Sequence, residues 1–373
     1  MREPQGRGGA GVRCMLMRGG SSKGLFFLAS DLPGDPAERN AVLLAVMGSG
    51  HPLQVDGVGG AHPLASKVAV VSRSAREDAD VDYLFLQLGV EQATITDRQN
   101  CGNILAAVGP FAVERGLIDA GSPTTTTRIL MVNSGSVVTA AFATPGGVPA
   151  YAGGTEIAGV PGSAAPVLLR FADTAGSATG SLLPTGRVRD VVDGVEVTCV
   201  DNGMPVVVAR ASDLGISGYE PADELASDGE LTARVQSLRC AAGKLMGLGD
   251  VSGLSVPKTT LVSAPRDGGT ICARTFIPVR PHTAIGVLGA VSVATALLLP
   301  GGVGAELAEP AGDGRLVDVE HPTGHLEVEV ELDTSADPPA VLRAGVVRTA
   351  RKLFDGIVYP GPRPAPGTST DRG

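Results

Sequence analysis

Two segments of this chain are apolar on nearly every side of a helix, and they constrain its fold more than any other feature. One spans residues 102–115 (GNILAAVGPFAVER) and the other residues 283–299 (TAIGVLGAVSVATALLL); both are rich in glycine and alanine. A helix that is apolar all round has to be buried all round. The second has 17 residues, the short end of a membrane span, and contains Thr283, Ser292 and Thr295. We therefore expect two buried central helices, each enclosed by a curved sheet.

Short runs rich in β-branched residues, bounded by glycine, proline or aspartate, surround both segments and are typical of strands. The two central helices begin about 180 residues apart, and each is embedded in such strands. The pattern predicts an α+β fold with two similar domains, each a barrel-like sheet wrapped around one apolar helix. Further helices are expected at 37–48 and at 222–246, the latter broken near Gly229 or Gly243.

The expected domain boundary falls in the glycine- and serine-rich stretch 173–190. Residues 1–185 are predicted to form the first barrel, joined by a C-terminal strand at 345–360. Residues 186–344 are predicted to form the second barrel. Residues 361–373 have the composition of a disordered tail.

Composition excludes several classes of partner. The chain has 30 lysines and arginines against 39 aspartates and glutamates, and aromatic residues make up 3% with no tryptophan. A chain-wide basic surface or an aromatic platform for nucleic acid is therefore excluded. The N-terminus lacks the apolar stretch of a signal peptide, and no membrane partner is expected. The five cysteines are scattered without a CxxC pair, which is typical of the reducing cytoplasm.

No metal or cofactor site is expected from the motifs. His321 and His325 stand four apart, but Pro322 and Gly324 between them prevent the helix that would align the two rings. The segment 56–62 (DGVGGAH) has a histidine where a dinucleotide fingerprint needs glycine, and no helix follows it.

The tetrapeptide Asn100-Cys101-Gly102-Asn103 stands directly before the first central helix. Unsatisfied N–H groups and the positive end of a helix dipole favour a thiolate at such a place. The glycine permits a tight turn and the close approach of a ligand. A small buried cysteine is the plain alternative. Cys101 is our candidate catalytic thiol, with Asn100, Gly102 and Asn103 as candidate substrate contacts.

The segment 18–24 (RGGSSKG) follows a predicted strand at 12–17 and offers backbone N–H groups, two hydroxyls and two cations. Such a set can cradle an anion. The GxxxxGK[ST] spacing of a phosphate-binding loop is missing, and a solvated hairpin turn explains the segment as well. The candidate anion contacts here are Arg18, Ser21, Ser22 and Lys23.

Ser66 and Lys67 precede the apolar run VAVV at 68–71. If Lys67 is drawn toward the interior, the loss of hydration favours its neutral amine, which can act as a base. A lysine at the start of a strand is more often simply exposed. We take Lys67 as a candidate catalytic base and Ser66 as a candidate substrate contact.

A second set of polar residues precedes the second central helix: Arg274, Arg280, His282 and Thr283. The guanidinium forks suit a carboxylate, whereas Thr283 also suits ordinary helix capping. We expect Arg274, His282 and Thr283 to contact an anionic substrate. The remaining cysteines are expected to be packing residues: Cys14, Cys199, Cys240 and Cys272.

Taken together, these groups suit a small polycarboxylate from which a proton is removed at one carbon and replaced at another. At this level the chain resembles the PrpF family. The resemblance rests on RGGSSKG, on NCGN and on longer matching segments at 15–33, 56–71, 100–118, 182–190, 194–207 and 281–296.

The resemblance implies the fold of diaminopimelate epimerase, with two barrels and a site in the cleft between them. It implies that Cys101 and Lys67 are the catalytic pair and that the loop with Arg18 and Ser21–Lys23 binds an anion. Diaminopimelate epimerases carry a second cysteine at the start of the second helix, where this chain reads HTAIG. The resemblance therefore favours a cysteine–lysine pair over two thiols.

The resemblance also implies a cofactor-independent isomerase of a small unsaturated polycarboxylate. Within the family, the amino-acid sequences of these segments favour keto-to-enol tautomerisation of 4-oxalomesaconate in gallate degradation. Isomerisation of 2-methylaconitate or methylitaconate is the alternative. A non-catalytic carboxylate-binding protein is the rival of another class, and an amino-acid epimerase would need the missing second cysteine. Which of Cys101 and Lys67 is acid and which is base stays open at this point. Family members often pair, so a homodimer is one expectation.

Overall fold

The structure, a computed structural model, describes residues 11–97, 101–309 and 314–361. Asn100 and the expected tail beyond residue 361 lie outside the described residues. The strands are β1 Val12–Gly19, β2 Ser22–Leu28, β3 Lys67–Arg73, β4 Val81–Leu88, β5 Ile95–Thr96, β6 Thr124–Met131, β7 Ser136–Ala143, β8 Pro166–Phe171, β9 Asp190–Val192, β10 Val195–Asp201, β11 Pro205–Arg210, β12 Lys258–Ser263, β13 Ile271–Phe276, β14 Leu316–His321, β15 Gly324–Asp333 and β16 Ala340–Val358. The α-helices are α1 Pro36–Met47, α2 Gly102–Leu105, α3 Val108–Glu114, α4 Ala222–Ser227, α5 Gly229–Leu245 and α6 Val287–Leu298.

The chain divides into two compact units. The first comprises Met1–Glu156, Val160–Val167 and Arg348–Gly373, and the second comprises Ile157–Gly159 and Leu168–Val347. In the described part, the C-terminal half of β16 therefore clusters with the first unit, whereas residues 168–185 cluster with the second. Whether the units fold separately, with a boundary near residue 185, stays a prediction.

Eight strands form a closed barrel, to which the first unit contributes all but the later residues of β8 and the earlier residues of β16. They pair in the order β1, β2, β3, β4, β6, β7, β8 and β16, and β16 pairs back to β1, which closes the ring. Residues 104–108 and Phe111 of the enclosed helical segment have no exposed surface. A helix with apolar residues on every side is thus buried on every side, as its sequence requires.

The first central helix is divided into α2 and α3, where the sequence suggested one continuous helix over 102–115. Pro110 lies in the first turn of α3, has no N–H to donate to the carbonyl of Ala106, and its ring crowds that carbonyl. The chain accordingly ends one helical turn at Leu105 and begins the next at Val108.

The second unit holds β9 to β15, the first part of β16 and the second central helix, α6. The residues of α6 from Gly289 to Leu297 are buried, and the helix packs against β10, β11 and β15. Its two polar residues are satisfied inside the core, because Ser292 donates to the carbonyl of Met204 and Thr295 accepts from the amide of Asn202. Burial of the hydroxyls therefore leaves no unpaired group at either position.

The start of α6 differs from the expectation. The helix begins at Val287 with Gly286 as its N-cap, four residues after Thr283. The chain before it is extended, because the N–H of His282 donates to Thr275 and Pro281 bridges Phe276 across the sheet. Thr283 therefore does not cap this helix. No helix in the described ranges is both long and apolar enough to cross a bilayer.

The other helices lie on the outer faces of the sheets. Residues Leu43, Val46 and Met47 of α1 join one apolar core with β2 and β3, and α5 joins another with β10 and β11. The expected break near Gly229 is confirmed: α4 ends at Ser227, and the Asp228 carboxylate accepts from Leu231 N–H to cap α5. The predicted α+β class, with sheets wrapped around apolar helices, is confirmed.

Candidate active site

The hairpin between β1 and β2 packs against the start of α2. Gly19 pairs with Ser22, so that Gly20 and Ser21 form a two-residue turn. Gly20 has a φ of 50°, and a side chain there would collide with the amide of Asn103. That amide donates to Ser21 Oγ over 3.2 Å. Two segments selected independently from the sequence are thus neighbours in the first unit.

Lys67 stands beside the same hairpin. It begins β3, where it pairs with Gly24 of β2 and with Gln87 of β4. A Cβ on Gly24 would lie 2.5 Å from the Lys67 carbonyl oxygen, so glycine is needed for this close pairing. Only 7% of Lys67 is exposed. Its Nζ donates to Gln87 Oε1 over 2.6 Å and lies 5.2 Å from the centre of the Phe85 ring.

The side chain of Lys67 lies on the helix-facing side of the barrel. Residues paired across neighbouring strands share a face, and alternate residues along a strand share it too. Lys67 therefore shares a face with Phe26, which is two residues beyond its partner Gly24. The Phe26 ring lies 5.6 Å from the ring of Phe111 in α3, so this face looks toward the central helix.

Cys101 contacts Tyr83, which lies on the same face of β4 as Gln87. It is half-buried and is the N-cap residue of α2. Its carbonyl oxygen accepts a long, 3.4 Å hydrogen bond from the hydroxyl of Tyr83. Tyr83, Phe85 and Gln87 alternate along β4, and Lys67 contacts the second and third of them. The thiol residue and the amine therefore lie at the same end of one barrel.

The surroundings of Tyr83 are dry. Complete burial, with a smaller effect from the neighbouring Cys101 thiol, raises the pKa of Tyr83 well above its ordinary value. Tyr83 consequently acts here as a neutral hydrogen-bond donor.

Two further observations fit a ligand site at this end of the barrel. Ser22 is 2% exposed, yet its hydroxyl has no hydrogen-bond partner among the described residues. An unpaired buried hydroxyl is costly unless a ligand or water completes it. Gly102, next to Cys101, faces open space, since no described atom lies within 4 Å of where its Cβ would be.

Not every residue of the predicted anion loop faces this end. Arg18 pairs with Lys23 across the hairpin, and alternation puts both on the side opposite Gly24. The Nη1 of Arg18 donates to the carbonyl of Gly20 and to Thr349. Burial, followed by the nearby Arg351, lowers the pKa of Arg18. These contacts indicate that Arg18 holds the hairpin in place.

Ser66 is also engaged within the protein. It is fully buried, and its hydroxyl donates to Gln54 Oε1 over 2.7 Å. The same oxygen accepts from the N–H of Ala61. Ser66 therefore anchors the glycine-rich loop before β3.

The three residues selected before α6 belong to the second unit. Arg274 is 7% exposed, and its Nε donates to the carbonyl of Glu220 while its Nη1 donates to that of Ala273. His282 Nδ1 accepts from the N–H of Ala284, and the side chain of Thr283 is exposed. The guanidinium of Arg274 is thus used inside its own unit, while His282 keeps one ring nitrogen for other contacts.

Lys258, the first residue of β12, is not among the site residues predicted from the sequence. Its Nζ lies 3.6 Å from the position that a Cβ on Gly286, the N-cap of α6, would take. Burial lowers the pKa of Lys258. Gln87 and Tyr83 were not predicted either. They stand two residues to either side of Phe85 on β4, the strand beside Lys67. The sequence could have pointed to them only if the pairing of β3 with β4 had been known.

Three of the other four cysteines are more deeply buried than Cys101, whereas Cys240 is half-buried like Cys101. Cys14, Cys199 and Cys272 are buried in strands. Burial raises the pKa of Cys14 to about 11 and that of Cys199 to about 12, so neither is a thiolate at neutral pH. Among the described residues, no group of three histidines, cysteines or carboxylates gathers as metal ligands would.

The chain is similar to known proteins along nearly its whole length. A family model described as PrpF protein matches residues 10–360. The (4E)-oxalomesaconate Delta-isomerase of Novosphingobium sp. is 56% identical over 347 residues, which is 93% of this chain and 96% of that protein. The 4-oxalomesaconate tautomerase of Pseudomonas putida is 53% identical over 351 residues, 94% of this chain and 96% of that protein.

A solved structure extends the comparison to the fold. The crystal structure of methylitaconate-delta-isomerase matches with a TM-score of 0.84 at 32% sequence identity, covering 94% of this chain and 95% of that one. The similarity thus extends over both units of the chain.

Proposed function

Because the chain belongs to the PrpF family, we propose that it is a cofactor-independent isomerase that moves a proton within 4-oxalomesaconate. The observation that carries the proposal is the placement of Cys101 and Lys67 against one face of β4. The choice of substrate rests on the relatives that are 56% and 53% identical, since both are named for oxalomesaconate.

The chemistry of this substrate explains why two proton-transferring groups suffice. In its keto form, a CH2 group stands between a ketone and a carbon–carbon double bond that carries carboxylates. Removal of one CH2 proton gives a dienolate, whose charge is spread over the ketone oxygen and the remote alkene carbon. Return of a proton to oxygen gives the enol, and return to the remote carbon gives the isomer with a shifted double bond. Neither product requires an oxidant, a reductant or a second substrate.

Lys67 and Cys101 are the two groups that we propose to carry this proton. One takes it from the CH2 group as general base, and the other returns a proton as general acid. Each role contributes roughly 10² to 10⁴ in rate. The unpaired hydroxyl of Ser22 is the donor that we assign to the developing negative charge.

We further propose a cytoplasmic location and a place in gallate degradation. All five cysteines are free, as expected for a reducing compartment. Growth of a deletion strain on gallate, compared with growth on an unrelated carbon source, tests the pathway. Normal growth on gallate without this chain would contradict it.

The activity is tested with three substrates followed by NMR: 4-oxalomesaconate, methylitaconate and 2-methylaconitate. We expect kcat/KM to be highest for 4-oxalomesaconate, by roughly 10² or more, because polar groups arranged for one acid are left unpaired by another. The NMR spectrum also distinguishes the enol from the isomer with the shifted double bond, which separates the two activities named for the relatives. Tight binding without any conversion would instead indicate a carboxylate-binding protein.

A further inference from the structure

The amide of Gln87 stands between Lys67 and the turn that precedes β3. Its Nε2 donates to the carbonyl oxygens of Pro63, Ser66 and Leu88 at 3.1, 3.0 and 3.2 Å. Its Oε1 accepts from Lys67 Nζ at 2.6 Å. The reverse orientation of the amide would turn an oxygen toward three carbonyl oxygens, so the hydrogen-bond network fixes which end faces the lysine.

We propose that Gln87 is a positioning residue for the reaction: it holds the amine of Lys67 in place while that amine changes its charge. The inference rests on the proposed function, in which Lys67 gains or loses a proton in every cycle. An amide oxygen accepts a hydrogen bond from a neutral amine and from an ammonium group alike. Gln87 therefore keeps its contact through the whole cycle.

Because the Gln87 side chain is uncharged, it does not strongly favour the ammonium form of Lys67. A carboxylate in its place would attract the ammonium form and oppose release of the proton. No carboxylate among the described residues forms an ion pair with Lys67. The titratable groups on the strands beside it are Lys23 on β2 and Asp82 and Tyr83 on β4, and Cys101 stands before α2. Alternation places Lys23 and Asp82 on the opposite face.

The competing explanation is that Gln87 merely ties down the turn at residues 63–66. Two variants separate the explanations. Gln87→Met removes both ends of the amide, whereas Gln87→Glu keeps an oxygen for Lys67 and adds a charge. Both lose the Nε2 donor, so damage to the turn is common to both, and the difference between them isolates the contact with Lys67. Gln92→Glu, on an exposed side chain of the same unit, is the control for an added carboxylate.

The readout is the pH titration of Lys67, followed by NMR in protein labelled with ¹³C at the lysine Cε. The chain has only five lysines, at positions 23, 67, 244, 258 and 352, so Lys67→Arg assigns the resonance. We expect the titration midpoint of Lys67 to rise in Gln87→Glu by about one pH unit or more. We expect it to fall in Gln87→Met and to stay unchanged in Gln92→Glu. Equal displacement in both Gln87 variants would overturn the inference.

A measurement on the unaltered chain covers the case in which the variants fail to fold. The ¹⁵N resonance of the Gln87 side-chain amide should move with the same midpoint as the Lys67 Cε resonance. Independence of the two curves would refute the contact.

Steady-state kinetics provide a test that is independent of the NMR titrations. Gln87→Met should lower kcat by roughly 10- to 100-fold with KM changed by less than about threefold, since a displaced base costs rate rather than binding. Absence of turnover in the unaltered enzyme, together with the expected NMR order, would remove the proposed function and leave the contact. Wild-type turnover in Gln87→Met, together with equal Lys67 midpoints in Gln87→Met and Gln87→Glu, would remove only the role of Gln87.

Discussion

Each unit has a lysine at the start of a corresponding strand, but the groups around the two lysines differ. Lys67 begins β3, which runs parallel to β2, and Lys258 begins β12, which runs parallel to β11. Each of these strands pairs on its other side with an antiparallel strand, β4 or β13. Lys67 has Gln87 opposite it, whereas β13 ends at Phe276, opposite Thr259, and leaves no partner across from Lys258.

The starts of the central helices differ in the same sense. The N-cap of α2 is Cys101, and that of α6 is Gly286. The first unit therefore has an amine in contact with an amide and a cysteine at the start of its central helix, and the second has a half-buried amine beside a glycine. The position in the fold is shared, but the groups beside the lysine differ. The stretch HTAIG contains no cysteine, and the structure shows that its last residue, Gly286, is the N-cap of α6.

The largest expected effect separates the two lysines by activity. Lys67→Met should lower kcat by about 10³-fold or more, because it removes one of the two proton-transferring groups. Lys258→Met removes the matching lysine of the second unit and should change kcat by less than about tenfold. Steady-state rates on 4-oxalomesaconate, with circular dichroism as a check of folding, decide the matter. Equal losses in the two variants would break the comparison.

A second prediction concerns stability at acid pH in the second unit. Burial, aided by the charges of His325, His282 and Arg274, lowers the pKa of His321 to about 4. In the unfolded chain this histidine binds a proton below about pH 6.5, whereas in the folded chain it binds one only below about pH 4. Stability should therefore rise with pH across that window, by up to about 3 kcal/mol.

Urea unfolding of the wild-type chain and of His321→Asn between pH 4 and 7 measures this effect. The difference in the free energy of unfolding between the two proteins should depend on pH. A constant difference for His321→Asn would contradict the assignment.

Two tyrosines allow a finer comparison between the units. Tyr83 donates to the carbonyl of Cys101, and Tyr219 donates to that of Ala264 in the second unit. Replacement by phenylalanine should cost about 1 kcal/mol of stability at either site. Only Tyr83→Phe should also lower kcat, by roughly three- to tenfold, because it loosens the N-cap residue that carries the thiol. A loss of rate in Tyr219→Phe of the same size would show that the effect is not local.

The smallest expected effect is the pH dependence contributed by Lys258. Burial lowers the pKa of this lysine, so the unfolded chain holds the proton to higher pH than the folded chain does. Stability of the wild-type chain relative to Lys258→Met should therefore increase as pH rises from neutrality toward about 10. Chemical unfolding of both proteins at several pH values gives the slope. A slope of the opposite sign would mean that Lys258 has an anionic partner in the folded chain.

The sequence was most informative where one physical constraint acts alone. Segments 102–115 and 283–299 are apolar on every side, and both contain buried central helices. The position of Cys101 at a helix start followed directly from the first segment. The break before α3 required attention to Pro110, whose missing N–H outweighs the helical pattern around it.

What the sequence could not provide is the pairing of strands. A shift of one residue in register exchanges the two faces of a strand, and local sequence does not fix that register. Register decides which of Ser22 and Lys23 shares a face with Lys67, and it also decides that Gln87 meets Lys67. Lys258 escaped notice for the same reason, since nothing near it in the chain differs from an ordinary strand start.

The most direct test of the central claim follows deuterium from D2O into 4-oxalomesaconate, with rates corrected for exchange without enzyme. The wild-type chain should exchange the CH2 position and form product. Of Cys101→Ser and Lys67→Met, the variant that lacks the base should do neither, whereas the variant that lacks the acid should still exchange the CH2 position without forming product. Product formation at the wild-type rate in either variant would contradict a proton transfer shared by Cys101 and Lys67.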